Sequence, residues 1–341
     1  VSGYAFAADL HETDRPADEY RWAAFDFILS CSKLHNVEAI VLGGDVTDVK
    51  DGHKARLLHR IKEQVVRLSE YAPVWWVMGN HDYRDRQAPF FKFLDDYPRI
   101  HFIAEPSVER ICGDRVLCIP HTRSWSTNVT WRKEFLHNCD YKSVIAHQTF
   151  KGARASNGEL MNGPPATAVS EKILGAPVFA GDIHVPQRVG NVTYVGSPHS
   201  INFGDHFKPR ILHVQGRRYQ PLENAVSPIR WKLNVTPDDL DKEWLSEVFE
   251  GDQIKVGLTL TPAQALDVAD YREVIVSQIE ATGATWHGTG IKVTAPKSRR
   301  ARLFSTTSKD QGLATPGAVL AQYAAHRQLE PEIIRAMGKY L

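Results

Sequence analysis

The chain is 341 residues long, with 43% hydrophobic and 24% charged residues, a composition that excludes a disordered or collagen-like chain and supports a large core in one or two domains. Its 41 Lys or Arg stand against 40 Asp or Glu, a net charge of +1, so attraction to a nucleic acid would have to come from local patches. No apolar run reaches the roughly 20 residues that span a bilayer, and residues 1–9 lack the basic flank of a secretory signal, so neither is expected.

Residues 4–8 read as a strand and 17–34 as a helix, with Trp22, Phe25 and Leu29 on one apolar face. A buried-type strand at 37–42, a helix at 52–68, an apolar strand at 74–78 and a short helix through 90–94 follow. Strands at 108–112 and 116–119 flank Gly113-Asp114, a hairpin dipeptide. Further strands are predicted at 143–146, 178–180, 192–195 and 210–214. This order predicts two sheets packed face to face with helices outside, parallel pairing early and antiparallel pairing later. An acidic stretch at 236–252 marks a break. Beyond it, a strand at 253–258 leads into a helix opened by Thr261, Pro262 and Gln264 and bearing Val268, Tyr271, Ile275 and Ile279. A returning strand at 291–294 completes a βαβ-like unit. A basic run from Lys297 to Arg302 and two helices within 315–341 come last. Cys31, Cys112, Cys118 and Cys139 make no CxxC pair, which argues against thiolate metal sites and for a reducing, cytoplasmic setting.

Five short polar segments each follow an apolar run, at the strand end where open α/β sheets place their sites. Asp9-Leu10-His11 carries a carboxylate and an imidazole two residues apart, which strand alternation would turn to one side. Gly43-Gly44-Asp45-Val46-Thr47-Asp48 lets backbone approach a ligand closely. Asp45, with two carboxylate oxygens, is the candidate bridge between two cations, and Asp48 would cap a turn or orient a ligand. In Gly79-Asn80-His81-Asp82, Asn80 could ligate through its amide oxygen and His81 could donate a proton or touch phosphate. Asp82 could accept from the other imidazole nitrogen and hold the ring. His147 stands alone, and Asp182 and His184 repeat the first spacing. Nitrogen and oxygen donors without thiolates suit a pair of divalent ions, manganese first, with zinc or iron(II) also admissible.

In this order the segments resemble the signature of the calcineurin-like metallophosphoesterases: Asp-x-His, Gly-Asp-x-x-Asp, Gly-Asn-His-Asp, a lone His, then Gly-His-x-His. The match spans about residues 4–215. It implies an α/β fold, a four-layer αββα metallophosphoesterase sandwich with a small C-terminal α/β capping domain and a helical tail, divided at 1–220, 230–295 and 296–341. It further implies that Asp9, His11, Asp45 and His184 hold one divalent ion and that Asp45, Asn80, His147 and Asp182 hold the other, with Mn²⁺ favoured. Asp182 stands where the family has a histidine, and its added charge favours a harder ion, Mn²⁺ or Mg²⁺ over Zn²⁺. The implied chemistry is in-line attack by hydroxide on phosphorus, with His81 as the general acid.

Within the family the sequence is most similar to the Mre11/SbcD-type DNA repair nucleases and their phage counterparts. Asp9-Leu10-His11, the run Gly196-Ser197-Pro198-His199-Ser200 and the βαβ-like unit carry this resemblance. It implies manganese-dependent cleavage of DNA phosphodiesters, 3′-to-5′ on duplex ends and endonucleolytic on single strands. It also implies an SMC-like ATPase partner (Rad50/SbcC type) docked by the helices in 315–341. A homodimer is expected, with the helices at 17–34 and 52–68 as candidate interfaces. The basic run, Arg123, Lys151, Arg154, Arg188 and Lys208 are candidate phosphate contacts, and Trp125 and Trp131 candidate stacking residues. His53, His121, His199 and His206 are further candidates for phosphate contact. Two other readings stay open at this point. One is a phosphoesterase acting on small nucleotides or phosphoproteins through the same metal residues; the other is a non-catalytic interaction module that kept the fold.

Overall fold

In the computed structural model, which describes residues 3–122, 141–162, 175–205 and 207–294, the short apolar runs pair into two six-stranded sheets. The first holds β1 (Tyr4–Ala7), β2 (Ala39–Leu42), β3 (Val74–Val77) and β4 (Ile100–Ile103) in parallel. It is extended by antiparallel β11 (Arg210–Gln215) and β12 (Arg218–Glu223) beyond β1. The second runs in the order β5 (Ser107–Ile111), β6 (Asp114–Ile119), β7 (Ser143–His147), β8 (Val178–Gly181), β10 (Val192–Tyr194) and β9 (Gln187–Val189).

Period-two alternation divides the apolar side chains among three layers. Phe6, Val41, Val77 and Leu212 face Val116, Cys118, Ile145 and Phe179 between the sheets. Ala5, Ile40, Leu42 and Trp76 point the other way, beneath the helices α1 (Ala23–Leu34) and α2 (Ala55–Tyr71). In α2, Leu57, Ile61, Val65 and Leu68 recur every three or four residues and are all buried. Leu117, Val144, Val178 and Ala180 form the outer layer of the second sheet with Tyr141 and Phe150.

Several boundaries differ from expectation. The helix predicted over 17–34 is a 3₁₀ turn, Pro16–Trp22, followed by α1. The tighter winding eclipses positions three apart, which joins Asp18 to Arg21 at 3.3 Å and turns both inward. Helix α2 runs to Tyr71 because only Pro73, just beyond it, disfavours helical backbone. The hairpin turn falls on Cys112-Gly113, at φ 52° and 81°, the left-handed pair that matches strand twist. Within these two sheets, strands β4, β9 and β12 were not anticipated. Pro221 sits in β12, at the sheet edge, where its missing N–H is tolerated.

A third sheet is wholly parallel: β13 (Arg230–Val235), β14 (Gln253–Leu260) and β15 (Thr285–Val293). Helix α3 (Val268–Ala281) crosses between β14 and β15 and seals Ile254, Val256 and Leu258 with Ile275 and Ile279. The reciprocal Thr261–Gln264 cap forms, at 3.0 and 3.3 Å, although a 3₁₀ turn intervenes before α3. The chain through Thr294 clusters as one compact unit. The basic run and the helices predicted in 315–341, together with Arg123, Trp125, Trp131 and His206, lie outside the described residues. Among those described, no helix is long and apolar enough to cross a membrane.

Candidate metal centre

The five polar segments meet where β1, β2, β3, β7 and β8 end. Their convergence does not come from strand alternation, as the spacing predicted. Asp9 and His11 lie beyond β1 with φ of 57° and 47°, Asp45 has φ 52° and Asp182 φ 85°. Left-handed backbone at a non-glycine residue costs about 1 kcal/mol or more and is kept where surroundings over-determine it. Four of the six such residues among those described belong to the predicted ligand set. The glycines between them are obligatory for closeness: a Cβ on Gly79 would collide with the Asp45 backbone nitrogen and Oδ1, and one on Gly44 with the His147 ring.

Asp45 lies at the centre. Its Oδ2 is 3.4 Å from His147 Nε2 and 3.7 Å from both His11 Nε2 and His81 Nε2. Three overlapping groups, Asp9–His11–His184, His11–Asp45–His81 and Asp9–Asp45–His147, each bring their donor atoms within 4.8 Å of one another. The imidazoles are aimed from behind. His147 Nδ1–H donates to the Gly43 carbonyl at 2.7 Å and His81 Nδ1–H to that of Asp48 at 2.8 Å, which turns both Nε2 atoms inward. His11 Nδ1 lies 3.4 Å from Asp48 Oδ1 without making a hydrogen bond to it.

The role expected for Asp82 is corrected. It does not hold His81. Buried and fully engaged, its carboxylate accepts from the N–H groups of Gly79 (2.7 Å), Asp45 (3.0 Å) and Val46 (3.2 Å) and from Trp76 Nε1 (3.1 Å). Trp76 is itself buried against Phe91 and Phe102, so Asp82 ties two metal-site loops to the core. Asp182 is at the edge of the cluster, its Oδ1 3.9 Å from His147 Nε2 and its N–H donating to Asp9 Oδ1 at 3.0 Å. The Thr149 hydroxyl donates to its other oxygen. Thr149 was not singled out in the sequence, although its place two residues after His147 was the available signal.

The other candidates do not enter the cluster. His53 bonds Thr47 at 2.7 Å and packs on Phe90, His121 pairs with Tyr83 at 3.0 Å, and His199 is buried against Tyr20. Arg154 and Arg188 brace the carbonyls of Gly158 and Gly190, Lys208 pairs with Glu223, and Lys151 is exposed.

Burial raises the carboxyls and lowers the imidazoles unless an opposite charge intervenes. Burial lifts Asp9 to about 7, with His147 pulling against it and Asp45 adding to it. Burial and then Asp45 bring Asp82 to about 6. Asp45 would rise too, but His147, His11 and His81 hold it well below the ordinary carboxylate range. Burial drops His81 to about 4 and His184 to about 3. His81 is therefore neutral near pH 7 in the metal-free protein.

The donor set fits divalent cations. It contains oxygen and nitrogen only, Asp9 Oδ2 and His11 Nε2 are buried without a hydrogen-bond partner, and one end of the Asn80 amide lies 3.0 Å from Asp45 Oδ2 and 3.1 Å from His147 Nε2. A cation is what reconciles these groups. Cation binding should then displace the proton on Asp9. A carboxyl raised by folding adds stability fully below its unfolded pKa of about 4, and that stability is lost as pH rises through about 7. The metal-free protein should accordingly gain more melting temperature from Mn²⁺ at pH 8 than at pH 6. Melting curves in EDTA and in Mn²⁺ at both values check this; equal gains would mean Asp9 carries no such proton.

Beside the cluster, a groove of about 620 Å³ runs past Asp48, Arg15 and Arg21 to Arg230, Lys232 and Lys255. Phe203 projects into it, with the Arg230 guanidinium 4.2 Å and the Lys255 ammonium 4.4 Å from its ring centre.

The chain belongs to the calcineurin-like phosphoesterase family, whose model matches residues 4–186, more than half of the sequence. That places it among the metal-dependent phosphoester hydrolases. Among solved structures it is similar to the crystal structure of the Pseudomonas putida nuclease MPE. The two share 16% identity over 64% of this chain and 87% of that one, with a TM-score of 0.32. No curated protein matches the sequence.

Proposed function

We propose that the chain is a manganese-dependent phosphodiesterase acting on DNA, with two divalent ions held by Asp9, His11, Asp45 and His184 and by Asp45, Asn80, His147 and Asp182. The observation that carries this reading is Asp45 Oδ2 standing 3.4–3.7 Å from three inward-facing imidazoles, the placement a bridging carboxylate needs. When bound, such a pair of ions supplies a hydroxide nucleophile and neutralises charge on the phosphoryl oxygens. The chain's own residues do the rest. Asp48 and the Gly43 carbonyl fix the rings, Asp82 fixes the loops, and His81 sits beside the bridge. An anionic phosphodiester next to His81 would raise its depressed pKa and let Nε2 carry the proton for the leaving oxygen.

DNA as the substrate is supported by the motif resemblance and by the groove, where Lys232 and Lys255 stand beside Arg230, itself 3.8 Å from Asp18, and leave an excess of positive charge for a phosphate backbone. In this reading residues 230–294 cap the site, cleavage runs 3′-to-5′ from duplex ends, and an SMC-like ATPase and a second copy complete the assembly. Linear duplex labelled at either end, incubated with Mn²⁺, tests it. The wild type should shorten the strand labelled at its 5′ end progressively. His81→Asn should retain Mn²⁺ and lose activity about a hundred- to ten-thousandfold. Hydrolysis of mononucleotide esters with no cleavage of duplex or single strands would assign the site to small substrates instead.

A further inference from the structure

Lys50 lies on the exposed loop after Asp48 and has no role in the reading above. Its Nζ is 3.1 Å from one end of the Asn80 amide, whose other end lies 3.0 Å from Asp45 Oδ2 and 3.1 Å from His147 Nε2. An amide has one oxygen and one NH₂, so it can serve these two sides in only two ways. With NH₂ toward Asp45 it donates there, and its oxygen accepts from Lys50. With its oxygen toward Asp45 and His147, as ligation requires, it presents NH₂ to the ammonium. Two donors cannot bond. Ligation by Asn80 and a hydrogen bond from Lys50 to Asn80 are therefore mutually exclusive. Lys50 makes no ion pair among the described residues, while its charge reaches both His81 and Asp182 across the mouth of the site.

We propose that Lys50 is a phosphate-binding residue of this site: once Asn80 turns its oxygen to a cation, the ammonium is left without a protein acceptor and takes a non-bridging oxygen of the phosphoester. The proposal rests on the hydrolase reading and deepens it. Lys50 and the cation compete for the Asn80 oxygen and repel each other, so the residue weakens loading slightly while strengthening capture of the anion. A purely structural or solvated lysine would do neither.

The test is calorimetric titration of Mn²⁺ into metal-free wild type, Lys50→Gln and Lys50→Arg, followed by titration of inorganic phosphate into the loaded proteins. Lys50→Gln should bind Mn²⁺ about two- to fivefold more tightly, through loss of a like charge. It should bind phosphate about tenfold more weakly, the loss expected of one charge-assisted hydrogen bond. Lys50→Arg should stay within about threefold of wild type for phosphate, because the charge is kept. Turnover of bis(p-nitrophenyl) phosphate should follow phosphate affinity across the three proteins. A Gln variant that binds phosphate as wild type does, or Mn²⁺ no more tightly, overturns the role of Lys50. Wild type that takes up no Mn²⁺ or hydrolyses no phosphodiester overturns the reading of the site itself, so the two failures are distinguishable.

Discussion

Replacing Asp45 with asparagine is expected to abolish stable cation binding and to lower turnover about a thousandfold or more, the loss of several kcal/mol of charge stabilisation. The substitution keeps shape and removes charge. Oδ1 accepts the His81 N–H at 2.8 Å, and an amide oxygen can still do so. No amide can replace a shared anion between His11, His81 and His147. The metal-free protein should lose stability as well. Against the cost of burial, His147, His11 and His81 hold the Asp45 carboxyl ionised and well below its ordinary range, so its charge stabilises the fold at neutral pH. Relief of Asp9 and Asp82 offsets only part of the loss, and the melting temperature in EDTA should fall. Elemental analysis after Mn²⁺ loading, with melting curves, separates these outcomes. Full metal content in Asp45→Asn would show that the carboxylate does not bridge.

Gly79→Ala should damage fold and site together. One added methyl would have to occupy space held by the backbone nitrogen of Asp45 and by its Oδ1, which the His81 N–H fixes at 2.8 Å. Overpacking of this kind costs roughly 1–3 kcal/mol, and more where backbone must shift. The shift would also strain the Gly79 N–H bond to Asp82, one of four that hold the loops. Denaturant melts should register the destabilisation, and the variant should bind Mn²⁺ at least about tenfold more weakly, since ligands displaced by even a fraction of an ångström lose geometry. Gly52→Ala is the comparison, because a Cβ there meets nothing and its melting curve should match wild type. If Gly79→Ala melts and binds like Gly52→Ala, the close approach of the two loops is not a requirement of the site.

The candidate ligand types and their order were legible in the linear sequence. An apolar run followed by Asp, His or Asn is a local pattern, and buried strands advertise themselves through residues such as those in Val74–Val77. The βαβ unit was legible for the same reason, through the Thr261 cap and the three- and four-residue spacing of Val268, Tyr271, Ile275 and Ile279. Strands β4, β9, β12 and β13 were not, because they are short or carry many polar residues and form only against neighbours already in place.

What the tertiary structure alone decided lies in pairs distant along the chain. His147 meets the Gly43 carbonyl 104 residues away, and Asp182 meets Asp9 across 173. Left-handed backbone at Asp9, His11, Asp45 and Asp182 aims the candidate ligands, a geometry no strand periodicity encodes. Asp82 took loop N–H groups in preference to its neighbour's ring, and burial moved His81 away from neutral titration. Residue chemistry and periodicity are properties of a few consecutive positions. Desolvation, ring orientation and competition for a shared amide exist only after folding has brought separate loops within reach of one another.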